Sequence, residues 1–128
     1  MSSFSDYLED AVLDYVFRNT GAPTSTNVYM ALFSAVPDDT GGGTELVVGN
    51  GYAREAITFG AASGGAMSNT IAVPFTASGA AWLDTVAIGI FDASTGGNML
   101  AWDVITTATI GDGDTLNFPI GDIDLTLD

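Results

Sequence analysis

Carboxylates are the only plentiful reactive side chains in this sequence: sixteen Asp and Glu stand against two bases, Arg18 and Arg54, with no Lys, His or Cys. That set removes imidazole general bases, thiol nucleophiles, Schiff-base lysines, phosphate-gripping lysines and thiolate or imidazole metal ligands. Two carboxylate chemistries remain. Glycoside hydrolysis needs two carboxyls about 5 Å or about 6.5–9.5 Å apart across a cleft, one with a raised pKa. Trp82 and Trp102, beside Asp84 and Asp103, supply the materials. One Asp beside one Trp is more simply a core tryptophan of a β-sandwich, so no catalytic or cofactor-binding residue is assigned. Calcium takes carboxylate and carbonyl oxygens, and Gly111-Asp112-Gly113-Asp114 gathers both in a tight turn. The spacing is not that of an EF-hand loop, and Asp-Gly is first of all a hairpin-turn dipeptide. Asp112 and Asp114 stand as a weak calcium candidate; no metal or other cofactor is expected.

Arg54 lies inside an apolar-polar alternation, Tyr52-Ala53-Arg54-Glu55-Ala56-Ile57-Thr58-Phe59. As one strand this puts Ala53, Glu55, Ile57 and Phe59 on one face, with Tyr52, Arg54, Ala56 and Thr58 on the other. In so acidic a chain Arg54 should meet a carboxylate, within the subunit or across an interface. An exposed ion pair contributes only ~0–1 kcal/mol, so an interfacial role requires a desolvated, bidentate pair. Tyr52 and Arg54 join Leu13, Phe17 and Arg18 as interface candidates.

The net charge of −14 opposes binding to nucleic acid, which is driven by cations that displace counterions from phosphates, and to anionic membrane surfaces. Neither is an expected partner. The imbalance reads as a one-signed exposed surface, with a saline habitat as an open alternative. Charged residues make up 14% and hydrophobic ones 47%, against about 25% charged in a typical soluble domain. That is too little charge to cover the outside, so apolar surface is expected to be hidden against copies of the chain or a partner. A homo-oligomer is expected, with a trimer as the preferred state.

The 128 residues suit a single domain, long enough to bury roughly two-thirds of its unfolded-chain surface. No run approaches the ~18 apolar residues of a membrane span. The opening MSSFSDYLED lacks the basic and apolar regions of a secretion signal, so synthesis and residence in a cytoplasm are expected.

Residues 1–20 predict one helix. Ser3 or Ser5 can cap it, Asp6 and Glu9 suit its positive end and Arg18 its negative end, and Asn19-Thr20-Gly21 followed by Pro23 stops it. Phe4, Tyr7, Leu8, Ala11, Val12, Tyr15 and Val16 form a broad apolar face at 100° per residue. Leu13 and Phe17 fall among the acids opposite, so either Phe17 folds back as the helix ends or the helix is clamped between two surfaces. Residues 27–128 then change to short alternating runs punctuated by Gly, Asn, Asp and Pro, the pattern of a β-sandwich or jelly-roll-like domain. About eight strands are expected, near Asn27–Ser34, Glu45–Val48, Tyr52–Phe59, Met67–Phe75, Thr85–Asp92, Met99–Thr106, Thr115–Ile120 and Asp122–Leu127. In the last, Ile123, Leu125 and Leu127 alternate with a ladder of Asp122, Asp124, Thr126 and Asp128. Ile71, Val73 and Phe75 make a similar stripe. Val86–Phe91 is apolar on both faces and belongs mid-sandwich or under a neighbouring subunit.

The chain resembles a family of small structural proteins of tailed bacteriophages, grouped as tail-fibre-like or as capsid decoration (cement) proteins. The resemblance rests on Phe4-Ser5-Asp6-Tyr7-Leu8-Glu9 leading to Val16-Phe17-Arg18-Asn19-Thr20, on Val28-Tyr29-Met30-Ala31-Leu32-Phe33, and on Gly51-Tyr52-Ala53-Arg54. It continues in Gly89-Ile90-Phe91-Asp92-Ala93 with Gly96-Gly97-Asn98-Met99-Leu100, and in Gly111-Asp112-Gly113-Asp114-Thr115 with Leu125-Thr126-Leu127-Asp128. None of these is a catalytic signature. The resemblance implies a non-enzymatic virion protein, assembled in the host cytoplasm, whose partners are phage capsid or tail proteins. Capsid decoration is the preferred reading, because a compact acidic domain suits the outside of a DNA-filled shell. A tail-fibre or baseplate subunit is the alternative, and a carbohydrate-binding module is another, which would need Trp82 or Trp102 exposed.

Overall fold

The computed structural model describes residues 3–21 and 27–127. Within them lie strands β1 (Ser3–Phe4), β2 (Val28–Ala35), β3 (Thr44–Glu45), β4 (Glu55–Ile57), β5 (Ala66–Ser68), β6 (Val73–Thr76), β7 (Thr85–Phe91), β8 (Met99–Ala108), β9 (Thr115–Phe118) and β10 (Asp124–Thr126), and helix α1 (Asp6–Arg18). The fold is mainly β with one helix near the N-terminus, as the patterning predicts.

The long apolar runs form the centre. A six-stranded antiparallel sheet runs β1-β8-β7-β2-β3, with β4 pairing β2 on the same edge as β3. Because side chains alternate across a strand, β2 and β7 feed two cores. Met30, Leu32, Ile88 and Ile90 meet Val73, Phe75 and Phe118 from a second layer, the β6–β9 pair. The intervening Ala31, Phe33, Ala87 and Phe91 join Met99 in a smaller cluster. The two-faced Val86–Phe91 run is thus covered within the chain, its neighbours β2 and β8 taking both edges.

Three local expectations are corrected. The Met67–Phe75 run splits into β5 and β6 at Asn69, a buried amide whose Nδ2 donates to the Ile71 and Pro119 carbonyls, both at 2.9 Å, while its Oδ1 accepts from Ile123 N–H. Residues 69–72 lie outside both strands and Ile71 is exposed, leaving the stripe to Val73 and Phe75. The Tyr52–Phe59 run shortens to β4, and strict alternation fails: Tyr52 and Ile57, five apart, enter the same core. The expected helix over residues 1–20 begins only at Asp6, because Ser3 and Phe4 form β1, a strand too short to carry a period. Pro23 and Asp128 lie outside the described residues.

Thr85 opens β7 fully buried, and its hydroxyl has no hydrogen-bond partner among the described residues. A buried, unsatisfied polar group costs about 1–3 kcal/mol. Thr85→Val keeps the shape and is expected to raise stability by about 1 kcal/mol, a rise of roughly 4 °C in thermal midpoint. A fall in midpoint would show that the hydroxyl is hydrogen-bonded after all.

Candidate docking surface

Helix α1 is seated by the residues just before it. Ser3 pairs with Trp102 and Phe4 with Ala101 on β8. Ser5 is buried; its N–H donates to the Leu100 carbonyl at 2.9 Å, its hydroxyl donates to the Met99 carbonyl, and the same oxygen accepts from Leu8 N–H at 3.3 Å as N-cap. Asp6 N–H donates to the Asp39 carbonyl at 3.0 Å. At the far end Asn19 adopts a left-handed conformation, φ 53°, that terminates the helix. The start of the helix is therefore rigidly tied to the sheet edge.

The body of the helix is not. No residue of α1 is buried, and neither core cluster draws a side chain from it. Leu8, Ala11 and Val12 are half-buried, so only part of the expected apolar face packs. Leu13 is 54% exposed, Val16 60% and Phe17 77%. Phe17 does not fold back. These three sit at i, i+3 and i+4 and form one ridge, with Tyr15 also exposed nearby. Arg18 Nη1 lies 2.9 Å from Asp14 Oδ1 as an exposed i, i+4 pair. A second exposed apolar group, Val47, Val48 and Leu83, lies on loops. Sequence pattern does not single out Val16, Val47 or Leu83 as exposed, since Val16 shares a face with packed residues and isolated apolar residues in loops carry no period.

Tyr52 and Arg54, the other interface candidates, meet inside the subunit on Glu45. Arg54 Nε donates to Glu45 Oε2 at 3.0 Å and Nη2 to Oε1 at 2.8 Å, a bidentate pair. Nη1 donates to the carbonyls of Ala93 and Gly96 at 2.9 and 2.8 Å. The guanidinium carbon lies 3.7 Å from the Phe91 ring centre, in cation–π contact. The Arg54 side chain is only 8% exposed. Tyr52 donates its hydroxyl to Glu45 Oε2 at 2.8 Å and accepts from Leu32 N–H at 3.1 Å. That amide lies on the β2 edge between the stretches paired with β4 and β3, so the phenol fills the gap. Burial first, then the adjoining Glu45 carboxylate, pushes the Tyr52 phenol well above its ordinary pKa, against the lowering effect of the Leu32 amide.

Arg54 thus ties β3 to the loop after β7. Asp92 stiffens the same loop by accepting from the Asn98 N–H and Nδ2. Partial burial opposes its charge, yet these bonds hold its carboxyl below the usual range. Gly97 and Asn98 line the depression beside Ser5 and Tyr7, so the lock reaches the seat of the helix.

The remaining candidates serve turns. Asp112 Oδ1 accepts from Gly79 N–H at 2.8 Å and Asp114 Oδ2 from Gly111 N–H at 2.9 Å. Trp82 and Trp102 are half-buried, and their Nε1–H groups donate to the Asn50 carbonyl and to Asp39 Oδ1, both at 2.9 Å. These bonds fix both indoles in place, each partly covered by the chain. Among the described residues, no helix is long and apolar enough to cross a membrane.

Residues 3–126 match the family model described as podophage GP4 fiber I protein gp80. No curated protein matches the chain.

Proposed function

We propose that this chain, which belongs to the podophage fibre protein family, is a tail-fibre component that attaches to another virion protein through the exposed ridge of α1. Its role in the virion is structural. The observation that carries the attachment reading is the helix itself. It is anchored at Ser5 and capped at both ends, yet contributes no buried residue and turns Leu13, Val16 and Phe17 to solvent. An isolated helix of this length is marginal in water. Covering the ridge would remove three large apolar side chains from solvent, each worth about 1.5–3 kcal/mol when fully buried.

The tail location is our reading of the fibre in the family's description, with capsid decoration as the alternative. The acidic surface that favoured capsid decoration suits a fibre equally, since both lie outside the genome. Gold-labelled antibody against this chain, applied to intact virions and viewed by electron microscopy, is expected to decorate the tail. Label confined to the head would return the protein to the capsid-decoration reading.

A further inference from the structure

We infer that the α1 ridge is covered by an apolar groove rimmed with Lys or Arg on a different virion protein, rather than by a second copy of this chain. The inference rests on the attachment reading above and identifies the partner's chemistry. Glu9 and Asp10 stand four and three residues before Leu13, and Asp14 three before Phe17, so on a helix all three border the ridge. Glu9 and Asp10 are exposed. A second copy has little with which to answer them. The sequence holds two basic side chains: Arg54 is enclosed by Glu45, two carbonyls and Phe91, and Arg18 is already paired with Asp14 of its own helix. Packing two α1 ridges together would set carboxylates against carboxylates while desolvating them, and like charges across an interface oppose association. The overall charge of −14 on each copy adds to that repulsion. An apolar floor with a cationic rim satisfies both the ridge and its border.

The test uses the full-length chain and virions lacking it, with binding read by co-sedimentation at about 0.05 and about 0.5 M NaCl. Wild-type affinity is expected to fall as salt rises. Glu9→Gln/Asp10→Asn, which keeps size and helix, is expected to bind about tenfold more weakly at the lower salt and to match wild type at the higher. Equal or tighter binding of that variant at low salt overturns the cationic rim. Sedimentation of the isolated wild-type chain as an oligomer that Leu13→Asp/Phe17→Asp dissociates also overturns it, making a second copy the occupant. Undiminished particle binding by Leu13→Asp/Phe17→Asp would instead overturn the attachment reading.

Discussion

Arg54→Met should lower the stability of the fold by about 3 kcal/mol, the cost of breaking a largely desolvated pair from one side, and its thermal midpoint by roughly 10 °C. The methionine fills most of the same space, so the loss comes from polar groups and not from a cavity. Glu45 would keep only the Tyr52 hydroxyl as a hydrogen-bond donor from this cluster. The Ala93 and Gly96 carbonyls would lose their guanidinium donor, and Phe91 would lose its cation. Arg54→Lys should recover little, because a point charge cannot serve both carboxylate oxygens and two carbonyls at once. The alternative is an ordinary exposed pair, for which deletion costs under about 1 kcal/mol. Thermal unfolding of the three proteins decides: a midpoint within about 2 °C of wild type for Arg54→Met would reduce the cluster to decoration.

How much of this was legible in the sequence depends on whether the signal was local. The caps of α1 were readable because Ser5, Asp6, Glu9, Arg18 and Asn19 act within one turn of the helix ends. The two-sided apolar run of β7 marked a central strand, since a half-buried strand alternates. Arg54's need for a carboxylate followed from composition, but Glu45 as the partner did not. The pairing depends on β3 and β4 sharing one edge of β2, which no periodicity encodes. The break at Asn69 was hidden for the same reason: its amide is satisfied by Pro119 and Ile123, far along the chain. On the helix, pattern identified apolar positions without telling which are covered. Leu8, Ala11 and Val12 are partly covered by the body, whereas Val16, assigned to the same face, is left outside with Leu13 and Phe17.

On the proposed reading, the ridge of α1 is a contact surface and not part of the fold. Deleting residues 1–20 would not test this cleanly, since Ser3–Ser5 pair with β8 and close the sheet edge. Leu13→Asp/Phe17→Asp leaves those residues untouched and alters two exposed side chains, so stability should stay within about 0.5 kcal/mol per site. In the complex, the same change removes two apolar side chains worth about 1.5–3 kcal/mol each when buried, which predicts at least roughly a hundredfold weaker association. The decisive measurement is co-sedimentation of this variant and the wild-type chain with virions lacking the protein, after circular dichroism has established that both are folded. The prediction is a folded variant that stays in the supernatant while the wild type pellets with the particles; a folded variant that pellets as the wild type does would contradict it.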